Sequence, residues 1–198
     1  IKLMVKIVMT LIPDGKKGVE DPGSPIYLDE NIISQPAAAL QLVAKEIFRM
    51  SDQVRDILKK TIELVKNEEV KSIDGLKENG EQVERLGKCI TEYLAALFSS
   101  GSLTEQQAAQ TASLMCVLSD VERMGTLSVE MAECMLERSD RKYKYTPEAM
   151  DELQKSLKVL NKMFCDSLKA LQGDDGIEPG KMMKRKDKLL DLDIKMRK

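Results

Sequence analysis

The sequence predicts an all-α protein folded as an antiparallel bundle of helices. Leu, Met, Ala, Glu and Lys dominate the composition, whereas aromatic residues make up 4% and Trp is absent. This composition favours helix over sheet. Apolar residues recur at steps of three and four through several long stretches, which is the spacing of one helix face. A chain of 198 residues suits one domain with a substantial core, or two small helical lobes.

The charge balance and the missing histidine exclude several kinds of function. The chain has 31 basic and 33 acidic residues, a net charge of −2, so no general field attracts nucleic acid or anionic lipid. Histidine, the commonest general base, is absent, and we predict no enzymatic activity and no catalytic residue. The four cysteines form no C-x-x-C pair, and we expect reduced, buried or half-buried thiols of a cytosolic protein.

The first 36 residues divide into an apolar segment and a linker. Residues 1–12 are strongly apolar, but about 20 apolar residues are needed to span a bilayer. Two interpretations remain open for this segment: a helix lying beside a membrane, or a helix docking on its own domain. Residues 13–36 form a linker and lead-in, because residues 13–26 contain three prolines and three glycines.

The next segment predicts a long bundle helix over about residues 37–67. Apolar positions, with one threonine, recur in it at alternating steps of three and four. These predicted core positions are Leu40, Val43, Ile47, Met50, Val54, Ile57, Thr61 and Leu64.

Two further helices complete a first bundle over residues 37–138. The second, at about 69–98, carries Gly80 and Gly87 on its inner face together with Glu84. Because glycine weakens a helix by about 1 kcal/mol relative to alanine, we expect these two to permit close approach of a neighbouring helix. Thr104 and Gln107 predict a capping box at the start of the third helix, which ends near residue 138. Its apolar stripe includes Glu122, a position where a carboxylate needs a partner.

A fourth helix begins at Thr146-Pro147-Glu148 and continues to about residue 172, and a fifth runs from about residue 179 to the end. A shift of about 107 residues superposes Met50 on Leu157 and Ile57 on Phe164, so the fourth helix resembles a repeat of the first. The same shift superposes Val83 and Glu84 on Leu190 and Asp191. Chance overlap of two helical patterns is the alternative.

Two stretches resemble a known family. Residues 28–33 (LDENII) followed by 36–40 (PAAAL) look like the lead-in of bacterial sodium-dependent phosphate cotransporters, where the membrane part passes into a cytosolic domain. Residues 120–125 (DVERMG) are similar to the E-R-x-G-D signature on the third helix of the phosphate-uptake regulator (PhoU) family, to which that cytosolic domain belongs. The resemblance covers roughly residues 28–198.

The resemblance implies a fold and a place in the cell. The fold is a PhoU-like antiparallel helical bundle, with the first three-helix bundle at 37–138 followed by the first two helices of an incomplete second repeat at 139–198. The chain would be a fragment of a longer protein, carried on the cytoplasmic face of the inner membrane. Residues 1–12 would then be juxtamembrane, and the partner would be the transmembrane domain of the same polypeptide.

The family also implies metal ligands. PhoU-like domains can hold iron or zinc between acids spaced D/E-x-x-x-D on the second and third helices of each repeat. The candidate metal ligands are Glu84, Glu122, Asp187 and Asp191. Gly80 and Thr126 stand where the first two would need a second acid, whereas Asp187 and Asp191 keep both. We therefore expect no cofactor, with iron or zinc at these acids as the alternative.

A purely structural role is the competing interpretation of these acids. Glu84 and Glu122 would pair with Arg85, Arg123 or Lys88 and orient the second helix against the third. Asp187 and Asp191 would lie on a solvated face among several lysines. With no third helix in the second repeat, we also expect an exposed apolar strip on the fourth and fifth helices, which another copy would cover in a homodimer.

The sequence thus predicts a non-enzymatic regulatory domain of a sodium/phosphate cotransporter, acting through helix-bundle contacts. Two alternatives remain open: a free-standing PhoU-like metal-binding regulator of phosphate signalling, and a helical-bundle scaffold unrelated to phosphate.

Overall fold

The computed structural model describes residues 21–66, 70–142, 144–171 and 179–196. Over these ranges the chain forms a short 3-10 turn and five α-helices, without a strand, which confirms the all-α fold. The turn is Glu30–Ile32, and the helices are α1 (Pro36–Lys66), α2 (Asp74–Ser99), α3 (Glu105–Asp140), α4 (Pro147–Leu171) and α5 (Pro179–Met196). The apolar segment at 1–12 and the linker up to residue 20 lie outside the described residues.

Helices α1, α2 and α3 pack on one another as a three-helix bundle, and α4 and α5 form a hairpin that packs against α1 through α4. The stripe predicted for α1 is the centre of the core. All its positions are buried except Leu64, which is half-buried. Burial of such a continuous stripe is the main source of stability of a helical bundle.

Several helix ends form as the sequence predicts. The Thr104 hydroxyl accepts from the Gln107 backbone N–H, and the Gln107 side chain accepts from the Thr104 N–H, so the capping box is present. Gly101 adopts φ +67° in the turn between α2 and α3, a conformation that glycine takes without strain. At α4, the Thr146 hydroxyl accepts from the Ala149 N–H across Pro147.

The start of α2 differs from the prediction. The helix begins at Asp74 rather than near residue 69, and residues 70–73 before it are not helical. Val70 and Ile73 are buried in this connection, and the Val70 N–H donates to the Ser139 hydroxyl at 3.1 Å. These two side chains close one end of the bundle, and this tertiary packing overrides the helical pattern.

Two predictions concern the burial of the cysteines and the relation of the chain to a membrane. All four cysteines are free thiols, but Cys116 and Cys134 are exposed rather than buried as expected. Among the helices of the described ranges, none combines the length and the apolar character needed to cross a membrane.

The predicted repeat describes α4 better than α5. Leu157 and Phe164 are buried like Met50 and Ile57, their counterparts in α1. Leu190 is 51% exposed, however, where its counterpart Val83 is 3% exposed. The expected exposed apolar strip is thus present, chiefly on α5.

Candidate functional site

A groove of about 740 Å³ runs between α2 and α3 and contains both acids that the sequence singled out in the first bundle. We call it the α2–α3 groove. It is lined by Lys77, Gly80, Glu81, Val83, Glu84, Arg85, Lys88, Glu122, Thr126, Val129, Glu130 and Glu133. Five of these side chains are carboxylates and three are basic, so the groove is acidic but partly neutralised.

Glycines allow the two helices to approach closely at this groove. A Cβ atom on Gly80 would lie 2.9 Å from a methyl group of Val129, and one on Gly87 would lie 1.8 Å from the Glu122 carboxylate. Both distances are too short for a real side chain. The predicted role of Gly80 and Gly87 in close approach is therefore confirmed, and the Glu122 carboxylate lies directly against the α2 backbone.

The surroundings of Glu122 in the groove shift the pKa of its carboxyl. Burial raises the pKa of its carboxyl above the ordinary value of 4.5, and the negative charge of Glu84 raises it further. Both causes disfavour the ionised form. The structure therefore brings Glu84 and Glu122 close enough to interact, across two helices, as the sequence predicted.

The stability of the protein should consequently depend on pH through Glu122. The unfolded chain releases this proton near pH 4.5, but the folded chain retains it to a higher pH, so stability falls as the pH rises through this interval. We expect Glu122→Gln to raise the urea midpoint of unfolding at pH 7, and the gain to disappear below pH 4.5. Glu81→Gln, at an exposed position of the same groove, is the control. A less stable Glu122→Gln variant at both pH values would contradict this expectation.

Two of the three basic side chains of the groove, Lys77 and Arg85, have partners other than the two candidate ligands. Lys77 Nζ lies 2.8 Å from Glu133 Oε1, and this contact raises the pKa of Lys77. Arg85, which the sequence offered as a partner for Glu84 or Glu122, lies 3.4 Å from Asp21 Oδ1 instead. The pairing with Arg85 that the structural interpretation invoked is thus replaced by a contact to the segment before α1.

The arrangement of oxygen atoms bears on the predicted metal site. The Thr126 hydroxyl donates to the Glu122 backbone carbonyl at 3.2 Å, so it is engaged within its own helix one turn from the Glu122 carboxylate. Within the ranges that the structure describes, no three Cys, Asp or Glu side chains converge as a metal centre requires. Glu84 and Glu122 could supply two ligands, and further ligands would have to come from elsewhere.

The other two candidate ligands lie in a different part of the molecule. Asp187 and Asp191 are exposed on α5, which packs against α4 and contributes no residue to the α2–α3 groove. The structure therefore groups Glu84 with Glu122 but does not bring Asp187 and Asp191 to them.

Another acid, Glu46, is fully buried and was not recognised from the sequence. Its side chain is fully buried on α1 and accepts hydrogen bonds from the backbone N–H groups of Ile26 at 3.0 Å and Tyr27 at 2.7 Å. It also forms an ion pair with Arg49. The sequence signal was present, because Glu46 lies between Val43 and Met50 on the apolar face of α1, where a carboxylate needs partners.

These contacts fasten residues 21–35, which we call the lead segment, onto the first bundle. The Arg49 guanidinium donates to the carbonyls of Pro22 at 3.0 Å and Ser24 at 2.7 Å. From α2, the Tyr93 hydroxyl donates to the Asp29 carbonyl at 2.8 Å. The described part of the predicted linker is therefore attached to two helices of the core rather than extended in solvent.

Comparison with known proteins gives one match to a family model. Residues 47–135 match the family model of the PhoU domain. The match begins within α1, includes the whole of α2, ends within α3, and covers every residue of the α2–α3 groove. This part of the chain is therefore similar to the PhoU domain. No curated protein matches the chain, and no solved structure matches it.

Proposed function

We propose that this PhoU-like domain is the regulatory cytosolic domain of a sodium-dependent phosphate cotransporter, and that it acts through helix contacts rather than by catalysis. The observation that carries the proposal is the PhoU match over residues 47–135. The likeness of residues 28–40 to the cotransporter lead-in supports the finer assignment. The domain would lie at the cytoplasmic face of the inner membrane in the full-length protein.

The lead segment offers a physical route for this regulation. Its backbone is held by the buried Glu46 carboxylate at Ile26 and Tyr27, and by Arg49 at Pro22 and Ser24. A displacement of the lead segment by a membrane domain would therefore pass to α1 through these hydrogen bonds. A packed helix that is pulled in this way can change its contacts with neighbouring helices.

The location of the full-length protein tests this proposal. We expect the complete reading frame to encode transmembrane helices before residue 1, and its product to stay in the membrane fraction after alkaline carbonate extraction. A reading frame without such helices, or a product released entirely by carbonate, would contradict the cotransporter assignment. The PhoU match itself would be unaffected by that result.

A second candidate function is a free-standing PhoU-like regulator that binds iron or zinc. The observation in its favour is the interaction between the carboxylates of Glu84 and Glu122 in the α2–α3 groove. Elemental analysis of protein purified without chelator tests it. Stoichiometric iron or zinc that Glu122→Ala removes and Glu81→Ala leaves would support this candidate, and metal-free wild-type protein would count against it.

A further inference from the structure

A second pocket, of about 370 Å³, lies between α1 and α4 and shares no residue with the α2–α3 groove. We call it the α1–α4 pocket. Four of its side chains recur along α1 at steps of four, three and four, the spacing of one helix face, and they are Phe48, Asp52, Arg55 and Lys59. Helix α4 contributes Leu168 and Lys169. Small-molecule pockets measure about 300–1,000 Å³, so this volume suits a small ligand.

The α1–α4 pocket is locally basic, although the whole chain has a net charge of −2. Its lining side chains include three cations, Arg55, Lys59 and Lys169, and one carboxylate, Asp52. The lining therefore has a net charge of +2. A concave site of one sign attracts small ions of the opposite sign, and the chemistry of this site consequently favours an anion.

The Arg55 guanidinium is only partly paired. Its Nη1 atom lies 2.9 Å from Asp52 Oδ1. Its Nε–H group is buried, however, and has no hydrogen-bond acceptor among the residues that the structure describes. A buried donor without an acceptor costs about 1–3 kcal/mol. An oxygen atom of a bound anion is the kind of acceptor that would remove this cost.

The two lysines of the pocket are weakly engaged. Lys59 Nζ lies 3.5 Å from Asp56 Oδ1, and both side chains are more than half exposed, so this contact contributes little. The acid one turn before Lys169 is Asp166, and it forms an ion pair with Arg185 of α5 instead. Both ammonium groups can therefore turn towards an anion in the pocket.

We propose that the α1–α4 pocket binds a small phosphate-bearing anion, held by the Arg55 guanidinium and by the ammonium groups of Lys59 and Lys169. A guanidinium presents several N–H donors to phosphate oxygens, whereas lysine acts as a mobile point charge. The net charge of +2 at the lining matches a phosphate dianion. Such a site is independent of the cotransporter assignment, because it depends on α1 and α4 alone.

NMR titration of the isotope-labelled full chain with sodium phosphate, at an ionic strength held constant with sodium chloride, tests this site. We expect saturable shifts of the backbone amides around Arg55 and Lys169. The double variant Lys59→Gln/Lys169→Gln should weaken binding about tenfold, because it removes two of the three cations. Shifts of the wild-type protein that grow without saturation would overturn the site.

The matched control is Lys60→Gln/Lys158→Gln, which removes the same charge from exposed positions of the same two helices outside the pocket. This control should bind phosphate like the wild type. Equal weakening by the two double variants would mean that only the overall charge of the chain acts, and would also overturn the site. Unchanged circular dichroism melting excludes misfolding of either variant.

Asp52→Asn should change the affinity in the opposite direction. It removes the carboxylate that competes for the Arg55 guanidinium, so phosphate should bind about threefold more tightly. Glu63→Gln changes the net charge equally at an exposed position of α1 outside the pocket, and should leave the affinity unchanged. Unchanged or weaker phosphate binding by Asp52→Asn would overturn the part assigned to Arg55.

A parallel titration with glycerol phosphate distinguishes the free ion from a phosphate ester. Tighter binding of glycerol phosphate than of inorganic phosphate would assign the pocket to a small phosphate ester, whose organic part would contact Phe48 and Leu168. Tighter binding of inorganic phosphate would assign it to the free ion. Saturable binding of neither anion would overturn the proposal, and would leave the cotransporter assignment unaffected.

Discussion

Replacing Glu46 with alanine should lower the free energy of unfolding by about 3 kcal/mol, because it removes the buried partner of the Arg49 ion pair and the acceptor of two partly buried backbone N–H groups. The Glu46 side chain is fully buried and bonded to Ile26, Tyr27 and Arg49. Urea unfolding measures the loss. Hydrogen exchange should also become faster at the amides of Ile26 and Tyr27.

The matched control is Glu63→Ala, which changes an exposed acid on the same helix. Substitutions at such positions usually alter stability by less than about 0.5 kcal/mol. A loss for Glu46→Ala of the same small size, or unchanged exchange at both amides, would mean that the lead segment is not held by this carboxylate.

Leu94→Ala should destabilise the bundle by a similar amount, about 3 kcal/mol, because it leaves a cavity at a fully buried position of α2. Leu127→Ala removes the same atoms from a side chain on α3 that is 43% exposed, and should lower stability by less than about 1 kcal/mol. Denaturant unfolding of both variants compares them directly. Equal losses would contradict the packing of α2 into the core.

The features that were predictable from the sequence are local or periodic. The Thr104–Gln107 capping box can be recognised from four consecutive residues. The buried stripe of α1 can be recognised from the spacing of its apolar residues alone. Gly80 and Gly87 could also be assigned, because a glycine in the middle of a helix has few purposes other than close approach.

The features that were missed depend on contacts between distant parts of the chain. Spacing places Glu46 on an apolar face, but it does not reveal that the lead segment returns to supply two backbone donors. The sequence pattern predicts a helix at Val70 and Ile73, and it contains no sign that these two side chains are buried at the end of the bundle. Likewise, the repeat offset does not reveal which face of α5 packs against α4. The exposure of Leu190 could therefore not be predicted from it.

The candidate site was predicted in part. Glu84 and Glu122, two of the five acids of the α2–α3 groove, were named from the helix faces and the family resemblance, and the raised pKa of Glu122 agrees with an acid on a partly buried face. The role expected of Arg85 was not found, because that side chain reaches Asp21, which is 64 residues away along the chain. Sequence periodicity contains no information on such a contact.

Phosphate uptake by the full-length protein in sealed membrane vesicles tests the proposed function most directly. We expect uptake of labelled phosphate that requires an inward sodium gradient, and a rate that differs between the wild type and Glu46→Gln, the variant that weakens the attachment of the lead segment. Glu63→Gln should match the wild type. Absence of sodium-dependent uptake, or equal rates for all three proteins, would contradict a regulatory domain coupled to a phosphate cotransporter.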